Sequence, residues 1–276
     1  MLMKFTCFTW NTAKRLKYVD EQVELIRNVN ADIVALQEVI ESTNKLYLQK
    51  LINDYPYISS SFDLVKDKSI LKNKRMFGQI IASKFPLEPE DPMKIEVPWN
   101  ERILSVTIQV NDKDILFHTT HIPPGSQNGW IKIQTLNGIY NYLKDTQNKL
   151  HILCGDFNTP KEEFADRGLM TFAQRINAKG ELKVKSNFRG GKGEDWDKGE
   201  RDLMNLKEIG YPDSYRLLNS YTTSNYSWSF KRKEKIIKRR FDHFFASEEI
   251  QVISIEYLHN QKHMSDHSPL LVKYAI

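Results

Sequence analysis

The positions of the apolar residues divide the chain into segments with strand-like and helix-like periods. Short continuous apolar runs at residues 32–36 and 150–154 are typical of buried strands, whereas residues 18–29 repeat apolar side chains at helical spacing. The same pattern predicts helices at residues 43–53 and 130–143. Further strands are predicted at residues 4–10, 57–62, 78–83, 101–110, 114–120, 226–231, 240–246, 250–257 and 269–274.

The order of these elements predicts the class of fold. Strands alternate with helices in the first half, and later strands follow one another as hairpins, which favours an α/β fold with mixed sheets. Residues 180–199 hold five of the 12 glycines, many charges and few aliphatic side chains, which predicts a long surface loop that is mobile or faces substrate. This loop does not divide the chain convincingly, so we expect residues 1–276 to form a single domain.

Composition excludes several protein classes. The 276 residues include only two cysteines, which excludes a disulfide scaffold, and no apolar run approaches the roughly 20 residues that a membrane helix needs. The first ten residues lack the basic start and long apolar segment of a secretory signal. Cys7 and Cys154 each lie in an apolar stretch, which indicates buried, reduced thiols. We therefore expect a cytoplasmic monomer without a membrane partner.

The net charge of +5 is mild, but one segment is strongly basic. Residues 231–240 contain seven Lys or Arg and a single acid, Glu234. Two interpretations stand side by side: a solvated hairpin, or a contact surface for a polyanion. Trp99, Trp130 and Trp196 also leave two interpretations, because a tryptophan can stack on bases or belong to the core.

Polar residues recur where the predicted strands end. They are Asn11, Glu38, His121, Asp156, Asn158, Asp242, His243, Asp266 and His267. A rigid sheet can hold such side chains at one edge, which is how α/β proteins commonly assemble sites. Each also has a structural explanation when taken singly. For example, Asp156 and Asn158 suit a turn, and Asp242 suits an ion pair with Arg239 or Arg240.

Taken together, these segments resemble the endonuclease/exonuclease/phosphatase superfamily, the metal-dependent phosphodiesterases related to DNase I and exonuclease III. The similar segments follow the family order, which makes the combination specific although each short motif alone is not. They are Thr9–Asn11, Leu36–Glu38, Thr120–His121, Gly155–Asn158, Arg240–His243 and Ser265–His267. The resemblance implies a four-layer α/β sandwich, in which two mixed β-sheets pack face to face with helices outside and the site lies at one edge.

For the metal, the resemblance implies Mg²⁺, with Mn²⁺ as a second candidate. Glu38 matches the main Mg²⁺ ligand, Asn11 matches an amide beside the metal, and Asp266 matches a further carboxylate in the metal region. This set agrees with the chemistry of Mg²⁺, a hard cation that takes oxygen ligands and keeps several waters, so that one or two carboxylates suffice.

For catalysis, the resemblance implies that Asp156 orients or deprotonates water and that Asn158 holds the phosphate or this water. Because these two are two residues apart, an extended segment would direct both side chains to the same side. His267 matches a histidine paired with Asp242, which fixes one tautomer and stabilises imidazolium beside developing negative charge. His121 stands where DNase I-like members have His and exonuclease III-like members have Tyr, as a leaving-group acid or a phosphate ligand. The sequence leaves open whether Asp156 or His267 takes the proton.

The candidate substrate-binding residues are Arg102, Arg240 and Trp228. Tyr226–Ser229 followed by Arg240 is similar to the DNA-repair branch of the family, and Arg102 is similar to a family arginine offered to substrate, with a surface ion pair as the alternative. The expected function is an Mg²⁺-dependent phosphodiesterase, with DNA the favoured substrate of an endonuclease or exonuclease. The alternatives are the same chemistry on RNA, inositol phosphates or phospholipid head groups, and a non-catalytic nucleic-acid-binding module.

Overall fold

The computed structural model describes residues 2–166 and 168–276. The strands are β1 (Lys4–Asn11), β2 (Ile33–Val39), β3 (Tyr57–Ser60), β4 (Gly78–Ser83), β5 (Leu87–Pro89), β6 (Ile103–Val110), β7 (Lys113–His121), β8 (Leu150–Asp156), β9 (Glu162–Phe164), β10 (Gly168–Met170), β11 (Gln174–Ile176), β12 (Leu182–Val184), β13 (Asn187–Phe188), β14 (Gly191–Lys192), β15 (Trp228–Arg232), β16 (Lys235–Arg239), β17 (Asp242–Ala246), β18 (Gln251–Tyr257) and β19 (Leu270–Ala275). The α-helices are α1 (Val19–Val29), α2 (Glu41–Leu51), α3 (Ser61–Leu64), α4 (Gly125–Asn128), α5 (Ile131–Asp145), α6 (Gly193–Met204) and α7 (Ser214–Leu218). Short 3₁₀ turns lie at Leu16–Tyr18, Lys68–Ile70, Asn73–Arg75, Pro92–Lys94, Asn100–Arg102 and Leu206–Ile209.

Two mixed sheets form the body of the described chain. The first has the strand order β18–β19–β1–β2–β4–β3, and the second has the order β17–β8–β7–β6–β5. The pairs β1–β2 and β7–β8 are parallel, and the other neighbours in these sheets pair antiparallel. The predicted α/β fold with mixed sheets is therefore confirmed. The hairpins β9–β10, β11–β12, β13–β14 and β15–β16 lie outside both sheets.

The continuous apolar runs arise because the central strands are buried on both faces. In β2, Ile33 and Ala35 join the core between the two sheets, while Val34 and Leu36 pack with α1 and α2. The same alternation places Leu153 of β8 in the core that contains residues of α5 and α6. Alternate residues of one strand thus enter different cores. The layers are helix, sheet, sheet and helix, which confirms the predicted four-layer sandwich.

Strand register brings polar residues to one edge of the second sheet. Asp156 at the end of β8 lies opposite His121 at the end of β7 and opposite Asp242 at the start of β17. The residue before it has to be glycine, because a Cβ on Gly155 would lie 2.0 Å from the carbonyl oxygen of Thr120. The close approach of β7 and β8 at this point therefore depends on that glycine.

Residues 180–199 do not form the irregular loop that their glycines and charges predict. They contain β12, β13 and β14, and α6 begins at Gly193. The helix forms because Trp196, Glu200 and Leu203 lie on one face and are buried, while most of its other charged residues stay at least partly exposed. The loop prediction is therefore wrong for these residues, and the expectation of a single domain stays a prediction.

Two expectations drawn from composition can be compared with the structure. Cys7 and Cys154 are buried and form no disulfide, as predicted. None of the described helices combines the length and apolar character that crossing a membrane would require.

A buried ion network connects β9, the start of α7 and the short link between β16 and β17. The side chain of Arg240 is only 1% exposed and donates to both carboxylate oxygens of Glu163, at 2.8 and 2.9 Å, and to Asp213 at 2.6 Å. Burial would raise the pKa of Glu163, but Arg240 and Arg216 lower it to about 2. Arg240 is therefore committed to two buried carboxylates, and its prediction as a substrate ligand is wrong.

We expect Arg240→Met to lower the free energy of unfolding by about 3–5 kcal/mol, because it removes the buried cation that Glu163 and Asp213 share and leaves Glu163 with Arg216 alone. Urea unfolding measures this change. The exposed Arg232→Met is the control and should change stability by less than about 0.5 kcal/mol. If Arg240→Met instead keeps native stability and raises the KM for DNA, Arg240 contacts substrate and the structural assignment is wrong.

Two buried histidines form a hydrogen-bonded chain between β6, β7 and β8. The rings of His118 and His151 stack 5.3 Å apart, with His118 Nε2 3.0 Å from His151 Nδ1. Ser105 Oγ lies 2.7 Å from His118 Nδ1, and Thr146 O lies 3.1 Å from His151 Nε2. One proton on each Nε2 satisfies the whole chain with neutral rings. Burial lowers the pKa of His118 and lowers that of His151 to about 4.

Acidification from about pH 7.5 to about pH 5 should lower the free energy of unfolding. Both folded-state pKa values lie below the ordinary value of 6.5, so protons bind the unfolded chain more readily than the folded one. The neutral rings therefore contribute fully to the free energy of unfolding above that pH, and this contribution is lost as the pH falls below it. For His151 alone the loss by about pH 5 is about 2 kcal/mol. Urea unfolding of His151→Phe should therefore depend less on pH, whereas the exposed His263→Gln should behave like the native protein. The same pH dependence in all three proteins would contradict this assignment.

Candidate active site

The predicted site residues converge on one cavity of about 290 Å³. Those that line it are Glu38, His121, Asp156, Asn158, Trp228, Asp266 and His267. Asn11, Asp242 and Arg102 lie directly behind them, in hydrogen-bond contact with Asp156, His267 and His121 respectively. Sequence positions from 11 to 267 therefore meet at one place. Arg240 lies apart in the buried ion network described above, and so does His243, whose Nδ1 lies 3.3 Å from Asp213 Oδ2 in that network.

Glu38 occupies an irregular position near the end of β2. The pairing of β2 with β4 shifts register between Leu36 and Val39, and Glu38 has a φ of 53°, in the left-handed region that residues with a Cβ seldom adopt. Such strain is characteristic of functional sites. The side chain is 24% exposed and faces the cavity. Burial raises the pKa of Glu38, and His267 and Asn11 oppose this shift.

Asp156 is held in place by two amide side chains and a backbone N–H. Asn11 Nδ2 donates to Oδ2 at 2.9 Å, and the backbone N–H of Asn158 donates to Oδ1 at 2.8 Å. The Asn158 amide donates to Ile122 O at 2.9 Å and lies 3.3 Å from Asp156 Oδ2. Asn158 has a φ of 51°, so residues 156–158 are not extended as predicted. The Asn158 side chain nevertheless turns toward Asp156. Asn11 Oδ1, the atom that a cation would bind, already accepts from the N–H of Ala13.

His267 and Asp242 form a buried pair beside Asp156. His267 Nδ1 lies 2.7 Å from Asp242 Oδ2, and His267 Nε2 lies 3.7 Å from Asp156 Oδ2. Burial would lower the pKa of His267, but Asp242 and Asp156 outweigh it and raise the pKa to about 10. Burial raises the pKa of Asp156 to about 7, with His267 opposing and Asp242 reinforcing the shift. Asp242 thus pairs with a histidine rather than with Arg239 or Arg240.

His121 lies between Glu38 and Asp156, and Arg102 sets the tautomer of its ring. Arg102 Nη1 lies 2.6 Å from His121 Nδ1. Burial lowers the pKa of Arg102 only to about 10, and a guanidinium can only donate, so His121 Nδ1 accepts and Nε2 carries the proton. This Nε2–H lies 3.4 Å from Glu38 Oε1 and 3.7 Å from Asp156 Oδ2. Arg102 therefore holds the His121 ring from the side away from the cavity. It does not line the cavity as a substrate ligand would, and it does not form the surface ion pair that was the alternative.

Trp228 and Asp266 form an outer wall of the cavity. Trp228 Nε1 donates to Asp266 Oδ2 at 3.0 Å, and the Trp228 ring stacks on Phe241 at 5.3 Å. Asp266 is exposed. Among the described residues, the compact groups of acids and histidines comprise Glu38, His121 and Asp156, and Asp156, Asp242 and His267, without Asp266. Asp266 therefore lies in the wall of the cavity but not within the central cluster.

The sequence analysis missed a buried ion pair whose lysine, Lys132, lines the cavity. Lys132 of α5 donates to Glu200 of α6 at 2.5 Å and to Asn158 O at 2.9 Å, and both charged side chains are almost fully buried. A signal was present in the pattern: Lys132 shares helical spacing with the buried Leu136 and Ile139, and a charge on an apolar face needs a buried partner. The identity of that partner, 68 positions later, was not accessible from spacing.

The cavity also contains aromatic and basic residues that the sequence analysis did not assign to it. These are Phe172, Arg189, Arg239 and Phe241. Of the three tryptophans, Trp196 is fully buried, so the core interpretation holds for it although its ring borders the cavity. Trp99 and Trp130 are half-buried. The basic segment at residues 231–240 forms most of the exposed hairpin β15–β16, and its Arg239 lines the cavity, so both interpretations of the segment stay predictions.

The donor set fits a divalent cation. The ligand atoms of Glu38, His121 and Asp156 lie within 4.8 Å of one another. Burial raises the pKa of both acids, which shows that their negative charges are poorly solvated, and a bound cation would relieve this. His121 presents a proton rather than a lone pair to this space, so oxygen ligands from the acids remain, as a hard cation such as Mg²⁺ prefers.

Comparisons with known proteins agree with this arrangement. The model of the Endonuclease/Exonuclease/phosphatase family matches residues 8–267. A search of the curated proteins for similar sequences found no match. Among solved structures, an AP endonuclease from Archaeoglobus fulgidus is 20% identical, with 97% of this chain and 98% of that chain covered and a TM-score of 0.66.

Two further structures extend the comparison. TDP2 from D. rerio, complexed with a single strand DNA product, is 14% identical over 98% of both chains, with a TM-score of 0.63. TDP2 from Caenorhabditis elegans is 15% identical, with 99% of this chain and 75% of that chain covered and a TM-score of 0.59. At these identities the structures show a shared fold. Because the family model also covers nearly the whole sequence, the chain belongs to the endonuclease/exonuclease/phosphatase family.

Proposed function

We propose that the protein is a divalent-cation-dependent phosphodiesterase that hydrolyses DNA strands. The observation that carries this proposal is that Asp156 lies between the His267–Asp242 pair on one side and Glu38 with His121 on the other. Hydrolysis of a phosphodiester needs a proton acceptor for water, positive charge near the phosphate oxygens and a site for a cation. This cluster contains a group for each need.

The geometry favours Asp156 as the proton acceptor. His267 lies between two carboxylates that raise its pKa to about 10, so at neutral pH it is an imidazolium without a free lone pair. Asp156, whose pKa is about 7, can take a proton from water at its side, while His267 Nε2–H donates to the oxygens of the phosphate. Asn11 and Asn158 keep the Asp156 carboxylate in position for this transfer.

His121 has a different part in this proposal. Its neutral ring, with Nδ1 bonded to Arg102, offers a fixed Nε2–H donor to a phosphate or leaving oxygen, and burial lowers its pKa further. Glu38 is the residue that would hold a divalent cation, with Asp266 as a more distant carboxylate ligand. When bound, Mg²⁺ or Mn²⁺ would neutralise charge on the phosphate oxygens.

Two observations support DNA as the substrate. The cavity combines the aromatic rings of Phe172, Trp228 and Phe241 with the guanidinium groups of Arg189 and Arg239, which suits bases and phosphates. The structurally similar proteins include an AP endonuclease and a TDP2 complexed with single strand DNA product. RNA and small phosphodiesters are the alternatives that experiment has to separate from DNA.

A substrate panel tests the proposal directly. The purified protein should hydrolyse plasmid, abasic duplex or single-stranded DNA in Mg²⁺ faster than RNA or bis-p-nitrophenyl phosphate, lose this activity in EDTA and regain it with excess Mg²⁺. Product release is measured on gels and by absorbance. Turnover that persists in EDTA contradicts the cation requirement, and turnover on RNA alone contradicts DNA as substrate. Absence of turnover on every diester would favour a binding module.

We expect Glu38→Gln and His267→Gln each to lower kcat on DNA about 10³-fold, because one removes the cation ligand and the other the positive charge at the phosphate. Binding of DNA in EDTA, measured by fluorescence anisotropy, should change little. The exposed substitutions Glu234→Gln and His263→Gln are matched controls and should keep native rates. Near-native activity of either site variant would remove that residue from the mechanism.

A further inference from the structure

Five basic side chains lie together on one side of the cavity. They are Lys161, Arg175, Lys185, Arg189 and Arg239, and we name them the cationic rim. Among the ion pairs of the described residues, none joins a member of the cationic rim to a carboxylate within 4.0 Å. The rim is therefore unlike the neighbouring Arg216 and Arg240, whose charges are matched by buried acids.

Backbone carbonyls near β11 hold two members of the cationic rim in place. Lys161 Nζ donates to Gln174 O at 3.3 Å, and Lys185 Nζ donates to Phe172 O at 3.1 Å. The Arg239 guanidinium lies 5.0 Å from the centre of the Phe172 ring. These contacts fix the positions of the cations without neutralising them, because carbonyl and aromatic groups carry no net charge.

The charges of the cationic rim repel one another, and the effect falls on Lys185. Burial lowers the pKa of Lys185, and Lys161, Arg189 and Arg175 lower it further. Like charges at such close range destabilise the folded protein unless an anionic ligand binds to them. The hairpin β11–β12, which carries Arg175 and precedes Lys185, thus holds cations close together although the described part of the chain offers them no carboxylate within 4.0 Å. Glu162 acts on the charge of Arg239 only from beyond that distance.

The cationic rim continues into the active cavity. Arg189 and Arg239 line the cavity together with Asp156 and His267. The guanidinium of Arg189 also lies 3.4 Å from Ser126 O. Positive charge therefore extends from the reacting position outward to β11–β12, along one continuous surface.

We propose that the cationic rim binds backbone phosphates of a nucleic-acid strand that continues beyond the scissile phosphate. This inference rests on the proposed function and makes it more specific, since the substrate becomes a polymer rather than a small diester. A polyanion supplies the missing negative charge at several positions at once, whereas a single small phosphodiester reaches only the cavity. Lys161, Arg175 and Lys185 are the members that only a longer strand can contact, because they lie outside the cavity lining.

Salt dependence of binding tests the proposal without requiring catalysis. The triple variant Lys161→Gln, Arg175→Gln, Lys185→Gln is compared with the control Lys4→Gln, Lys113→Gln, Lys149→Gln. The control removes equal charge from exposed positions that begin β1 and β7 or directly precede β8, at the ends remote from the cavity. Affinity for a labelled single-stranded DNA of about 12 nucleotides is measured in EDTA by anisotropy, after thermal unfolding has confirmed that both variants are folded.

We expect the slope of log K against log salt to shrink by about 2 in the rim variant, because each phosphate contact on a single strand contributes roughly 0.7. The ratio of the DNA affinity of the native protein to that of the rim variant should then decrease roughly 20-fold between about 50 and about 200 mM salt. The control should keep the native slope. Equal slopes for the rim variant and the native protein would overturn the proposal.

Hydrolysis in Mg²⁺ separates this proposal from the proposed function. In the native protein, kcat/KM should rise with strand length from dinucleotides to strands of about 12 nucleotides, and the rim variant should lose most of this rise while cleaving bis-p-nitrophenyl phosphate at the native rate. If kcat/KM of the rim variant still rises with strand length as in the native protein, the proposal that the cationic rim binds the strand is wrong. If no diester is cleaved but the slope falls as expected, the cationic rim is supported and the proposed hydrolysis is wrong.

Discussion

The hydrogen bond from Asn11 to Asp156 joins the two sheets at the point on which the rest of the site depends. Asn11 ends β1 in one sheet, and Asp156 ends β8 in the other. The sandwich brings these edges together because the alternate residues of the central strands fill one shared core. A site made in this way inherits the rigidity of both sheets, which keeps charged groups aligned without help from flexible loops.

The same location explains the electrostatics of the cluster. Glu38, Asp156 and Asp242 are acids with little access to solvent, and His267 and Arg102 supply compensating positive charge. The compensation is incomplete, since burial still raises the pKa of Glu38 and Asp156. A centre with unfavourable negative charge favours the binding of a cation and of a proton, which are the two events that the proposed hydrolysis needs.

Much of the fold and most of the site could be predicted from the sequence, for reasons visible in particular residues. Continuous apolar runs such as residues 150–154 mark strands that are buried on both faces, and polar residues after them mark a shared edge. The prediction failed for Arg240 and for residues 180–199. The acids that bind Arg240 come from distant positions in the chain, and the helix within residues 180–199 is stabilised by tertiary burial of Trp196 despite its glycines and charges. Local pattern contains neither kind of information.

The separation between sheets and hairpins suggests how chemistry and substrate choice are divided in this protein. Asp156 and His267 lie at the sheet edges, where a small displacement would disturb several hydrogen bonds at once. Arg175 and Lys185 belong to or follow short strands outside both sheets, where a change of charge leaves the central register untouched. In the function proposed here, binding of a long strand would be tuned on the hairpin while the reacting groups stay fixed, because the two depend on different parts of the backbone.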